Sequence, residues 1–182
     1  MHFSGTTKIF SALAIVLFVF VCSSCKHEKD PLKKYGPFVE TVMRTENGAF
    51  RGFNFGDNID SVTAKEAAPA AEADQGYLYY EYKINTTGSF NITYDFDDKG
   101  LNEIQSDIFV SNANQTDSVF NAFKSYFDDH FGKEETDMGY NVWSVKSEKF
   151  GDIKINLTDQ SPELTADKAP GKISIWIYPD QD

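Results

Sequence analysis

Histidine and cysteine are nearly missing from this chain. Its 182 residues include 3 histidines and 2 cysteines. The histidines, His2, His27 and His130, lie far apart, with no pair at metal-ligand spacing and no His-Glu-x-x-His. Both cysteines, Cys22 and Cys25, precede the charged stretch that starts at Lys26, so a disulfide framework in the body is excluded. There is no Gly-x-Ser-x-Gly turn and no glycine-rich phosphate loop. Positive charge is also short: 17 Lys+Arg face 28 Asp+Glu, for a net charge of −11. That balance argues against nucleic acid as a partner and against electrostatic docking on anionic lipid. No cofactor and no metal site is expected from these residues. What the chain does have is 41% hydrophobic residues, with 16 Phe and 9 Tyr. That is enough for a packed core rather than a disordered chain.

The longest apolar run, Phe10 to Cys22, follows Lys8 and falls short of the ~18 residues that suggest a membrane span. It reads as the core of an export signal. Cys22-Ser23-Ser24-Cys25 then gives way at once to Lys26-His27-Glu28-Lys29-Asp30. This segment resembles a bacterial lipobox, in which small residues precede a cysteine that takes a diacylglyceryl group, with cleavage just before it. Ser23 and Ser24 match the pattern; Cys22 stands where Leu is usual. The resemblance implies lipidation of Cys25 and anchorage to a membrane. Lys26, rather than Asp, after the cysteine is similar to the sorting pattern of outer-membrane lipoproteins. The competing reading is a plain secretory signal cut near Ser24. Under the lipoprotein reading Cys25 would be the mature chain's single thiol, and the thioether would remove its reactivity. The organisation expected is a signal over 1–24, a lipidated cysteine and tether over 25–36, and two α+β units over 37–110 and 111–182.

The stretch from Gly76 to Gly100 sets the fold class. Phe90, Ile92, Tyr94 and Phe96 alternate with Ser89, Asn91, Thr93 and Asp95, as in a strand with one buried and one wet face. Leu78, Tyr80, Tyr82 and Ile84 give the matching face of the preceding strand. Asn85-Thr86-Thr87-Gly88 predicts the turn between them, with Gly88 free to take positive φ. Asp97 to Gly100 predicts a second turn into a strand over Leu101 to Val110. Later strands are expected over Tyr140 to Lys146, around Ile153, Ile155 and Leu157, and around Ile173, Ile175 and Ile177. One helix is expected from Asp57 as N-cap, carrying Ile59 and Val62. A longer one is expected from Thr116, with Val119, Phe120, Phe123, Tyr126, Phe127 and Phe131 on one stripe and Gly132 closing it. Phe38 to Met43 suits a helical face but is short. Ala67 to Asp74 reads as a loop.

Gly76 and Gly88 stand 12 apart, as do Gly139 and Gly151, so the two halves read as repeats. The expected fold is α+β: two tandem helix-plus-three-strand units forming one antiparallel sheet, with helices packed on one face. This pattern resembles the β-lactamase-inhibitor-protein-like fold. Phe55-Gly56-Asp57 with Val62 is also similar to the SmpA/OmlA family of small outer-membrane lipoproteins, although this chain carries two units rather than one. The resemblance implies binding to other proteins rather than catalysis.

Asp95 to Gly100 has carboxylates at calcium-loop positions, but Lys99 occupies a ligand position and Ser106 stands where a bidentate Glu is needed. A hairpin turn with solvated carboxylates explains it better. Asp128-Asp129 and Glu134-Glu135 read as solvated surface rather than an acid/base pair. The remaining signal is aromatic. Tyr77, Tyr79, Trp176 and Tyr178 fall opposite the apolar positions of their strands, and large aromatics on a wet face are typical protein-contact anchors. The function expected is that of a membrane-anchored, non-catalytic scaffold or binding module whose partner is another envelope protein. The alternative is a periplasmic enzyme or small-ligand carrier.

Intact-mass analysis of the membrane-extracted protein should show a chain that starts at Cys25 and carries acyl mass. A Cys25→Ala variant that is still processed and still fractionates with membranes would overturn the lipidation.

Overall fold

Period-two alternation becomes sheet almost everywhere it occurs. The computed structural model of the chain describes residues 30–86, 88–111, 113–161 and 170–180. Cys25 and most of the segment between Ser161 and Gly171 lie outside the described residues. Eight strands form one antiparallel sheet: β1 (Glu72–Ala73), β2 (Tyr77–Asn85), β3 (Gly88–Asp97), β4 (Gly100–Val110), β5 (Glu135–Asp137), β6 (Tyr140–Ser147), β7 (Gly151–Asp159) and β8 (Gly171–Pro179). Their spatial order is β1-β2-β3-β4-β8-β7-β6-β5. Each half is therefore a short strand followed by a three-strand meander. The halves meet where β4 pairs antiparallel with β8. An antiparallel central pair relates the halves by an approximate two-fold axis through the sheet, which puts the covering elements of both on the same face. The fold is α+β, with the helices on that face.

The register runs one apolar row across both halves: Tyr80 pairs with Ile92, Ile92 with Ser106, Ser106 with Ile175, and Ile175 with Leu157. All five are buried. A one-residue slip at any of these pairs would turn that strand's apolar side to water, so burial fixes the register.

Three helices cover the row: α1 (Pro37–Met43), α2 (Ile59–Lys65) and α3 (Ala113–Phe131). In α3, Val119, Phe123, Tyr126 and Phe127 are buried, while Phe120 and Phe131 pack at the margin. Gly132 (φ +87°) closes it, its N–H reaching the Asp128 carbonyl at 3.0 Å. In α1, Pro37 sits in the first turn and Phe38, Val39, Val42 and Met43 are all buried, so the short apolar face is helical. The halves differ in how they are covered. The second has the 19-residue α3 alone; the first has two seven-residue helices and the irregular hairpin between them.

Several expectations need correction. The sheet has eight strands rather than six. β1 lies inside the expected loop Ala67 to Asp74, and β5 was not anticipated. Both are two or three residues long and wholly exposed, so they carry no alternating signature. Glu72, Glu135 and Asp137 put charge on these edge strands and discourage further pairing. Asn58, not Asp57, caps α2, accepting from the Ser61 N–H at 2.8 Å. Asp57 is held instead by the sheet, its carbonyl accepting from the Leu101 N–H at 2.8 Å. α3 begins at Ala113, so Thr116 lies within the helix, buried against the start of β8. A Cβ on Gly171 would fall 1.9 Å from the Thr116 hydroxyl oxygen, so only glycine allows that approach. Gly88 serves the same purpose: a Cβ there would lie 2.6 Å from the Phe38 ring, a tighter demand than the turn freedom expected of it. Part of the expected tether is folded too. Pro31–Tyr35 is a 3-10 helix capped by Asp30, and Leu32 is fully buried.

Phe123→Ala should destabilise the body by ~3–5 kcal/mol as a large-to-small core change. Ser125→Ala, on the exposed side of α3, should stay within about 0.5 kcal/mol of wild type. Equal melting shifts for the two would mean that the buried stripe of α3 is wrongly assigned.

Candidate functional site

The face of the sheet away from the helices is polar, and the described residues place no helix on it. One row across it reads Tyr79, Thr93, Gln105, Trp176, Asn156 and Val142, each paired with the next. The four aromatics expected on this face are all on it, but they form two separate pairs. Tyr77 and Tyr79 lie on β2 near the β1 edge, with their hydroxyls on Glu72 (3.2 Å) and Glu81 (3.0 Å). Trp176 and Tyr178 lie on β8, next to the centre, with ring centroids 4.3 Å apart. Thr93 and Gln105 separate Tyr79 from Trp176, a gap of roughly 14 Å at the usual strand spacing. The pair on β8 is the stronger candidate. Trp176 is 39% exposed, one of the few large apolar side chains in the described structure left open to water.

Asn156 lies beside this pair and is only 9% exposed. Its Nδ2 donates to the Tyr178 hydroxyl at 3.3 Å, and its Oδ1 has no partner among the described residues. If the amide were turned over, the hydroxyl would meet the oxygen and the nitrogen would be left alone, so one end of the amide stays unpaired either way. Further along the face, Asp107 joins β4 to β8. It accepts from the Ser174 hydroxyl and pairs with the Lys172 ammonium at 3.1 Å. Gln160 also meets Ser174, at 2.8 Å. These contacts fix the central strands, with the Ser174 O–H as donor in both.

The strongest electrostatics lie on the other side of the sheet and were missed by sequence reasoning. Glu66, the C-cap of α2, has a side chain with no exposure at all. Its carboxylate takes a two-pronged pair from Arg51, Nε at 3.0 Å and Nη2 at 3.0 Å. It takes a third bond from Arg44 Nη1 at 2.9 Å, and others from the hydroxyls of Tyr82 (2.8 Å) and Tyr94. Arg51 also donates to the carbonyls of Thr41 (3.1 Å) and Val42 (2.6 Å) at the end of α1. Its guanidinium lies 5.1 Å from the Tyr82 ring centre. Both arginines take left-handed backbone conformations, φ 61° at Arg44 and 54° at Arg51. Burial by itself would push the Glu66 carboxyl up, but the hydrogen bonds and charge of Arg51, with those of the two tyrosines, bring it down to about 2. Burial and the neighbouring carboxylate push the Tyr94 hydroxyl far up. The available signal was scarcity: Arg44 and Arg51 are the only arginines in the chain, against 15 lysines, and both converge on one carboxylate.

Asp128 is similarly structural rather than a solvated member of a pair. It accepts from Trp143 Nε1 at 3.1 Å and from Lys124 at 2.7 Å, and the indole also reaches the Gly132 carbonyl at 3.0 Å. Asp97 accepts from the Lys99 N–H at 2.8 Å, the bond of a hairpin turn, so the calcium-loop spacing marks a turn.

The helix-side face also holds a concave apolar cavity of about 440 Å³, between the hairpin loop around Phe55, the end of α3 at Phe131 and the β6–β7 hairpin. Glu66, Tyr82 and Tyr94, whose pKa values are strongly displaced, do not line it. No protein-family model, no curated protein and no solved structure matches this chain.

Glu66 sits below its ordinary range in the folded state. Its contribution is therefore complete above about pH 4.5 and is lost as pH falls toward about 2. Glu66→Gln should cost ~3–5 kcal/mol at neutral pH, the usual loss on breaking a buried ion pair. The melting gap between variant and wild type should shrink as pH falls below about 4.5. A gap that stays constant with pH would mean that the carboxylate charge contributes nothing.

Proposed function

We propose that this chain is a lipid-anchored, non-catalytic binding module of the bacterial cell envelope, working through the open sheet face around Trp176 and Tyr178. The observation that carries the reading is at β8: a partly open, tilted aromatic pair on a sheet face that no described helix covers. An uncovered aromatic in water is typical of a contact surface. Tyr and Trp are the side chains that most often carry such contacts. The partner is another envelope protein; its surface is flat or ridged enough to meet a sheet face and apolar at its centre.

Two further considerations favour binding over the alternative of a periplasmic enzyme. The carboxylate with the largest shift, Glu66, has both oxygens engaged by arginine and tyrosine, which leaves it no free lone pair to act as a base. The Ser174 hydroxyl donates toward Asp107 and Gln160, and no histidine lies beside it among the described residues to act as its base. The envelope location rests on the lipobox-like segment ending at Cys25, and the likeness of the Phe55 to Val62 segment to small outer-membrane lipoproteins points the same way.

A photo-crosslinking residue at position 176 should trap a discrete partner in intact cells, while the same residue at position 125 on α3 should not. Trp176→Ala should weaken the partner's binding by at least ~2 kcal/mol, the scale of an interface hot spot, with an almost unchanged melting temperature. A large drop in melting temperature, with no crosslink at position 176 in otherwise wild-type protein, would place Trp176 among the structural residues and remove the reading.

A further inference from the structure

We propose that the cavity between the two halves is a binding site for a medium-chain carboxylate: an aliphatic chain inside the cavity and an anionic head at Lys149. The cavity's floor is the sheet, through Ile153, Ile155 and Ile177, and its walls are Phe55, Phe131 and Phe150. Phe55 and Phe150, one from each half, have ring centres 6.0 Å apart. At about 440 Å³ it is roughly three times the ~150 Å³ apolar cavity that stays dry and takes benzene. It also falls in the ~300–1,000 Å³ range of sites for small organic ligands. An apolar space of this size gives water few partners, so a hydrocarbon chain is the occupant that gains most from entering.

The choice of head group follows from charge. The chain carries a net charge of −11, yet the only titratable residues lining this cavity are Lys146 and Lys149. No carboxylate lines it. Lys149 lies 4.8 Å from the Phe150 ring centre and has no ion-pair partner among the described residues. Gly56 keeps that position open: a Cβ there would fall 2.8 Å from the Lys149 ammonium nitrogen and 2.8 Å from the Phe150 ring. The lysine stem thus runs along an aromatic wall with its charged end at the mouth, the arrangement in which a long cationic side chain covers apolar surface and still meets an anion. Lys146 follows Val145 on β6, and strand alternation turns its side chain to the opposite face of the sheet, which leaves Lys149 as the cation that selects the head group.

This site lies on the opposite side of the sheet from Trp176, and neither reading depends on the other. The test uses the full-length protein in its extracted envelope, with a diazirine-bearing decanoate as probe and mass spectrometry to locate the label. Label should fall on peptides that contain Phe55, Val145 or Phe150, and excess unlabelled decanoate should compete it away. Val145→Trp, which fills the cavity from β6, should reduce that label by about tenfold or more. Lys149→Glu should reduce labelling by the decanoate probe about threefold, in line with one partly exposed charge pair, and leave labelling by the matching decanol probe unchanged. Label spread over other surfaces, or label in wild-type protein that decanoate does not compete away, would overturn the site whatever the variants do. Equal losses for acid and alcohol probes in Lys149→Glu would overturn the anionic head group.

Discussion

A carboxylate with no water around it governs the first half of this structure. Removing Glu66 from solvent is costly, and the cost is offset only if positive charge and hydrogen-bond donors surround it closely. That demand draws together parts of the chain that have no other reason to meet: the end of α1, the hairpin carrying Arg44 and Arg51, the end of α2, and the core face of β2 and β3 through Tyr82 and Tyr94. It also explains two backbone oddities. A left-handed arginine is unfavourable, and two of them within eight residues are tolerated because each aims a guanidinium at the same carboxylate. Lysine would not substitute, because a point charge lacks the planar fork that meets both oxygens at once. The position of Glu66 at a helix C-terminus, where the dipole disfavours an anion, shows that tertiary contacts outweigh the local preference.

The second half meets the same need for cover by different means. One long amphipathic helix lies across β8, β7 and β6 and is fixed at its end by Trp143, whose indole N–H is shared between Asp128 and the carbonyl of Gly132. A lysine, Lys124, steadies that carboxylate, so the site is polar but half open to water rather than sealed. The halves are therefore alike in their sheets and unlike in their covers. The join between unlike covers is where the apolar cavity opens, because neither α3 nor the Phe55 loop reaches across the β6–β7 hairpin to close it.

Sequence reasoning worked where the physics is local. A strand with one dry face writes its period directly into the chain, and Phe90 to Phe96, Ile153 to Leu157 and Ile173 to Ile177 are read without error. The 12-residue spacing of Gly76 and Gly88, repeated at Gly139 and Gly151, marks the same two strand starts in each half. It failed where partners are distant or the element has no dry face. Edge strands β1 and β5 are exposed on both sides, so nothing in their composition sets them apart from loops. Leu32 is a single apolar residue in a charged run, and its burial depends on a fold formed by residues much later in the chain. Glu66 and its donors are separated by 15 to 28 residues, with no period to connect them. At the candidate surface, the period placed Trp176, Tyr178, Tyr77 and Tyr79 on one face. How far apart the two pairs stand depended on strand order, which no single strand encodes.

The buried Leu32 also has a mechanical consequence. With the folded body starting at the 3-10 helix rather than after Gly36, an anchor on Cys25 would be joined to it by only the few residues before Pro31. At full extension, five residues span about 17 Å and eleven span about 37 Å. Were Cys25 lipidated as proposed, a leash that short would confine the body to a thin layer above the bilayer and restrict how far it can turn. Its encounters would then be set by lateral diffusion in the plane, with a high effective concentration for anything in the same membrane and little access to anything beyond arm's length.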